Sequence, residues 1–232
     1  MSNVSDSQPQ GAPAPQALAT LDATTLLFLF ADRVLPLIKK QPEHPEMHCA
    51  FAKVDGTTLA ADLLACAMWE LRGQGFVQLQ VAEEKVLFVK TTVTHVQRLR
   101  TGTTTGLANG LLQKITDKPK ETAKSVMDHW FGKDYPSPTG VVLGVPLAAA
   151  EQLGLINKVE TDRPNVMAKV FKAKYHLEPN LAGIAAYESA FSAFAAAWLA
   201  FKTNEAALYQ QLVKAARSSI SAHQEREDND NF

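Results

Sequence analysis

What the chain lacks sets the first limits. It has two cysteines, Cys49 and Cys66, too few for a disulfide framework, and Cys66 sits among apolar positions at helical spacing. Reduced thiols in a cytosolic protein are the expected state. No apolar run approaches the roughly 20 residues that a membrane span needs, and the densest early stretch covers only residues 26–31. The Ala-rich stretch 185–201 contains Glu188 and small polar residues, so it reads as a buried bundle helix. The N-terminus lacks a basic segment followed by an apolar run, and no secretory leader is expected. A formal charge of −1 gives no global attraction for nucleic acid or an acidic membrane. No internal repeat stands out.

Catalytic signatures are missing as well. There is no Gly-x-Ser-x-Gly elbow, no His-Glu-x-x-His, and no phosphate loop ending in Lys-Ser/Thr. TGTTTGLANG at 101–110 is glycine-rich but has no Lys and follows a polar stretch. His129 has no nucleophile or partner carboxylate in its pattern and reads as a helix-surface residue. QPEHPEMHC at 41–49 brings His44, His48 and Cys49 close in sequence. Pro42 and Pro45 oppose a regular helix there, and the spacing matches no usual zinc signature, so a surface loop is expected. Enzymatic activity, metal and cofactor are therefore not expected.

The informative stretch is 57–93. Thr57 and Thr58 are candidate helix caps after the turn Asp55-Gly56, and Leu59, Leu63, Leu64, Met68 and Leu71 recur at helical spacing. Arg72-Gly73-Gln74-Gly75 stops that helix. Two β-rich runs follow, 76–81 and 85–92, with a turn expected at Ala82-Glu83-Glu84.

Around this unit the pattern is helical. Residues 1–17 are polar and Pro-rich and are expected to be disordered. A helix is expected from Leu18 to Lys40, capped by Asp22 or Thr24 and bent or ended by Pro36. A polar Thr/Gly loop is expected over 94–106, then helices over 107–116 and from Pro119 to Gly132. A turn-rich connector at 134–140 leads to a short helix over 146–155 and a strand-like Leu155-Ile156. Helices over 164–174, 181–202 and 204–223 complete the chain, and 224–232 is expected to fray. The aromatic stripe Tyr187, Phe191, Phe194, Trp198, Phe201, with Ile184, reads as core. The expected fold is mostly α with one β-hairpin: a compact helical domain at 18–223 containing a winged-helix-like helix–hairpin unit, with a sub-boundary near 134–140.

Charge is concentrated in one span. Residues 85–133 hold nine Lys or Arg and three acids, a surplus of six positive charges in a chain of net −1. Solvated lysines pointing several ways would give the same count, so the span reads either as that or as an anion-binding face. Lys85, Lys90, Arg98, Arg100, Lys118 and Lys120 are the candidate anion contacts. Phe76, Val77, Glu83, Glu84 and Phe88 are the candidate interaction residues of the hairpin. A helix followed by a hairpin is also half of a winged helix, but 58–70 carries Asp62 and Glu70 and no Arg, Lys, Asn or Gln. Such a helix suits packing better than reading a DNA groove.

The order of features resembles the Golgi phosphoprotein 3-like family over about residues 57–156. The residues that carry it are Leu71-Arg72-Gly73 before the hairpin, Thr105-Gly106 leading into the Leu-rich 107–115, and 119–122 leading to Trp130. Gly154-Leu155 closes the series. The resemblance implies a mainly helical fold and peripheral membrane association through a phosphoinositide headgroup pocket. It also implies a hairpin that helps enter lipid and mediates self-association. Two departures stand against direct transfer. Lys53 and Asp62 lie about where the family's pocket has Trp and Arg, and an acidic tip at Glu83-Glu84 resists desolvation. The expected function is a non-enzymatic adaptor in the cytoplasm or peripheral at a membrane. Its partner would be an anionic lipid headgroup or a protein, with a homo-oligomer through the hairpin. The alternative is a DNA- or nucleoid-associated protein that binds phosphates with the hairpin as a wing.

Overall fold

A helix with Leu, Ala, Cys and Met on nearly every side has to be surrounded, and the rest of the fold is built around that demand. In the computed structural model, which describes residues 20–38, 49–86, 88–118, 120–132, 137–160 and 175–230, this helix is α3, Gly56–Gly73. Every residue from Leu59 to Met68, together with Leu71, is buried. The cap is Asp55 and not Thr57 or Thr58: its carboxylate accepts from the Thr58 N–H at 2.7 Å, and hydrogen bonding from the Thr58 side chain first, then its N–H, holds its pKa below the usual range. At the other end Gly75 takes φ +74, the left-handed conformation that ends the helix.

The N-terminal helix is shorter than expected and broken. α1 (Ala23–Leu29) is capped by Asp22, which accepts from Thr25 N–H at 2.8 Å. Phe30 interrupts it at φ −121, ψ 27, and α2 (Ala31–Val34) follows, ended before Pro36. Residues 26–31 are all buried, as their density demanded. α4 (Gly106–Leu112) and α5 (Ala123–Phe131) pack on each other, and α4 packs on α3. α6 spans Pro138–Gln152 and begins eight residues earlier than expected. Ser137 caps it and Pro138 occupies its first turn, where the missing N–H costs nothing, so Pro146 is an interior residue and not a start.

β1 (Val77–Val86) and β2 (Val89–Arg98) form the hairpin. A second antiparallel pair, β3 (Ile156–Glu160) with β4 (Tyr175–Pro179), goes beyond the strand-like Leu155-Ile156 of the sequence. Its partners lie far apart in sequence, and no hairpin signal announces them. The expected helix over 181–202 divides at Tyr187 into α7 (Leu181–Ala185) and α8 (Glu188–Asn204). α9 (Ala206–Asp230) runs past the expected end at His223.

The aromatic stripe is core. Tyr187, Phe191, Phe194, Trp198 and Phe201 are buried, and Trp69 of α3 packs edge-on to Trp198 with ring centroids 5.4 Å apart. α9 adds Leu208, Leu212, Ala216 and Ile220 to this core, with Val213 partly buried beside them. Asp62 and Glu70, the two acids of the helix, face inward. Asp62 is 2% exposed, accepts from the Tyr209 hydroxyl at 2.8 Å and lies 3.6 Å from Lys202 Nζ. Burial raises its pKa, while Lys202 and the Tyr209 hydrogen bond pull it down. Burial and the Asp62 charge push the Tyr209 phenol up. Among the described residues no helix is long and apolar enough to cross a membrane. The His44–His48 segment, the start of the connector at 134–136, the helix expected over 164–174 and the N-terminal tail up to residue 19 lie outside the described residues.

Candidate anion-binding groove and hairpin tip

The hairpin register places its turn elsewhere than the acidic pair suggested. Val86 pairs with Val89, Lys85 with Lys90, Glu84 with Thr91 and Glu83 with Thr92. Glu83 and Glu84 are therefore mid-strand residues, and the tip carries Phe88, 92% exposed. The difference has a physical origin. Acidic residues disfavour strands on average, but on an exposed two-stranded ribbon they face water opposite threonines and meet little resistance. Each strand is ten residues long, so the ribbon extends roughly 33 Å from base to tip.

Alternation along the ribbon sorts its residues by face. One face begins with Val77, Leu79 and Val96, all buried against the helices. Phe76 and Val77, taken from sequence as interaction residues, are core: they are 8% and 1% exposed. The opposite face begins with Gln78, Gln80 and Gln97, which are exposed, and His95, which is half-buried.

The predicted basic residues divide into three groups. Lys85 and Lys90 face one another beside the tip, and Lys90 has an acid near it, Glu83 at 3.5 Å. Arg98 and Arg100 are spent on structure. Arg98 donates to the carbonyls of Leu112 at 3.3 Å and Ile115, closing the end of α4, and its Nε lies 4.0 Å from Asp117. Arg100 donates to the Gln74 carbonyl and lies over the Phe76 ring, 4.3 Å from its centroid. These two guanidinium groups fasten the hairpin base, each with part of its donor set. Lys118 and Lys120 stand on the rim of a half-open groove of about 630 Å³ between the glutamine face of the ribbon and the 116–120 loop.

That loop is held at both ends. The Glu121 carboxylate, buried at 2% exposure, accepts from the Thr116 N–H at 2.7 Å, and the Glu121 carbonyl accepts from Val96 N–H at 2.8 Å. A β-bridge joins His95 to Thr122. Lys120 sits at φ +60, a conformation uncommon for a residue with a side chain. Gln78, Gln80, His95, Gln97 and Thr116 are groove residues that the charge pattern does not single out. The signal for two of them is the Val-Gln-Leu-Gln-Val alternation at 77–81, which puts both glutamines on one face.

No protein-family model matches the chain, and neither does any curated protein or solved structure.

Proposed function

We propose that this chain is a non-enzymatic peripheral membrane adaptor that touches an anionic bilayer with the tip of its β1–β2 hairpin. The observation that carries the reading is the tip itself. Phe88 stands almost fully in water at the end of a long ribbon, and two lysines flank it in direct register. The sequence through the turn is Lys85-Val86-Leu87-Phe88-Val89-Lys90, four apolar residues between two cations. Like charges directly opposite on a ribbon destabilise it, and Glu83, 3.5 Å from the Lys90 ammonium, relieves only part of that repulsion in the free protein. Lipid phosphates at the same height turn that repulsion into attraction.

The magnitudes fit a reversible contact. Burying a Phe side chain is worth about 2–3 kcal/mol, and each lysine near an anionic leaflet adds about 1 kcal/mol. A total near 4–5 kcal/mol corresponds to dissociation constants of about a millimolar. One tip therefore binds transiently, and two tips joined by self-association or by a partner protein bind together far more strongly. An adaptor that holds a membrane only when assembled has this profile. The buried α3 offers no face to a DNA groove, so duplex contact would rest on the hairpin alone.

Vesicle flotation tests the reading. A covalent tandem dimer of the chain, which presents two tips, should float with phosphatidylcholine vesicles containing phosphatidylserine and stay behind with phosphatidylcholine alone. Phe88→Asp should abolish flotation while leaving the circular dichroism spectrum unchanged. Flotation of Phe88→Asp equal to that of the unaltered chain would sink the proposal.

A further inference from the structure

The groove at the base of the ribbon is separate from its tip. From Lys90 to Gln97 is seven residues along β2, roughly 23 Å at strand rise, well beyond the roughly 8 Å over which charges act in physiological salt. The groove therefore does not share the tip's contact when the ribbon stands on a surface, and its chemistry stands on its own.

Its charge can be assigned group by group. Arg98 is offset by two carbonyls and by Asp117. His95 Nε2 faces Glu84 at 3.3 Å. Among the described residues neither the Lys118 nor the Lys120 ammonium has an ion-pair partner, so the rim carries two uncompensated positive charges. Three amide side chains, Gln78, Gln80 and Gln97, line the same groove, each able to donate and to accept. Thr116 and His95 add polar groups to the lining.

The loop that carries the lysines is anchored at Thr116 and Glu121. Glu121 pins its first residue by side chain and the neighbouring strand by main chain, and Lys120 takes a left-handed φ. A non-glycine residue kept there marks a position that the surroundings over-determine. Two ammonium groups without ion-pair partners among the described residues, in one groove with three amide side chains, match the charge and donor demand of one phosphate monoester. Such a group carries about −1.5 to −2 at neutral pH and has three acceptor oxygens. The geometry points to a phosphate-monoester site in this groove, with Lys118 and Lys120 as the charge partners and Gln78, Gln80 and Gln97 as orienting donors. The group belongs either to a soluble metabolite or to a lipid headgroup, and the distance from the tip favours the soluble source.

The test is a nuclear magnetic resonance titration of the full chain with glycerol 3-phosphate, with glycerol as the control, in buffer at roughly physiological ionic strength. The amides of Gln97, Thr116, Lys118 and Lys120 should shift saturably with the phosphate and not with glycerol. Lys118→Ala and Lys120→Gly should each weaken binding by about tenfold, the loss of one charge-assisted contact. Glycine accepts the φ of Lys120, so that variant keeps the loop, and Lys114→Ala, outside the groove, should bind unchanged. A second arm floats the Phe88→Asp chain with phosphatidylcholine vesicles containing phosphatidylinositol 4-phosphate. Flotation that disappears with Lys118→Ala and Lys120→Gly identifies the lipid headgroup as the source. Saturable shifts without flotation identify a soluble one. Shifts that do not saturate, that lie elsewhere, or that Lys114→Ala weakens as much as Lys118→Ala overturn the site.

Discussion

Glu70 should make the chain more stable in mild acid than in mild alkali, and replacing it with glutamine should remove its share of that dependence. The carboxylate sits near the end of α3 against the start of α1. Gln74 donates to its Oε1 at 3.0 Å, and its Oε2 is buried with no side-chain hydrogen-bond partner among the described residues. Burial first, and the charge of Asp22 second, raise its pKa from 4.5 to about 7, against the opposing bonds from the Ala23 N–H and Gln74. A raised acid binds more protons folded than unfolded between those two values, so stability falls as pH rises from about 4.5 to 7 and is flat on either side. At 1.36 kcal/mol per pH unit the whole shift is worth about 3.4 kcal/mol. The side chain keeps partial access to water, and screening brings the figure to about 2 kcal/mol.

Glu70→Gln keeps the shape and drops the charge. Urea unfolding of both proteins at about pH 4.5, 6 and 8, values that bracket the titration, measures the difference directly. The variant should match the unaltered chain at the acid end and exceed it by about 2 kcal/mol at the alkaline end, a rise of roughly 4–8 °C in Tm for a chain of this size. A difference that stays constant with pH, or that favours the unaltered chain in alkali, refutes the assignment of the strain to this carboxylate.

Other substitutions test the packing and the loop. Gly110 of α4 faces Trp130, and an added Cβ would lie 2.5 Å from the indole Nε1. Gly110→Ala should therefore destabilise by about 1–3 kcal/mol in urea unfolding, although alanine is the better helix former. Lys120→Gly should do the opposite and raise stability by about 1 kcal/mol, because the left-handed φ costs a side-chain-bearing residue about that much. A loss of stability there would show that the loop needs the lysine for folding.

The helices are readable because their signals are local. Leucine spacing marks α3, the run expected from Pro119 to Gly132 marks α5 although the helix begins only at Ala123, and the aromatic rhythm of 187–201 marks the core face of α8. What escapes is set by contacts distant in sequence. β3 and β4 pair across an intervening segment that no short pattern announces. The hairpin turn carries Phe88 where a glycine or asparagine would have marked it, so the acidic pair at Glu83-Glu84 draws the expected turn several residues too early. That shift reverses a functional argument, since an acidic tip opposes lipid and an aromatic one between lysines suits it. Of the six basic candidates, sequence cannot separate Arg98 and Arg100, which close main-chain carbonyls, from Lys118 and Lys120, which face open solvent. That distinction depends on where α4 ends against β2.

The position of residue 88 relative to lipid is the most direct test of the proposed function. A Phe88→Trp variant, mixed with anionic vesicles whose acyl chains carry bromine, should lose tip fluorescence to contact quenching, measured as the difference from the unaltered chain with its three native tryptophans. The quenching should vanish when the phosphatidylserine is omitted or when Lys85 and Lys90 are both changed to glutamate. Vesicle-bound variant whose introduced tryptophan keeps its full fluorescence beside the brominated chains would contradict the account.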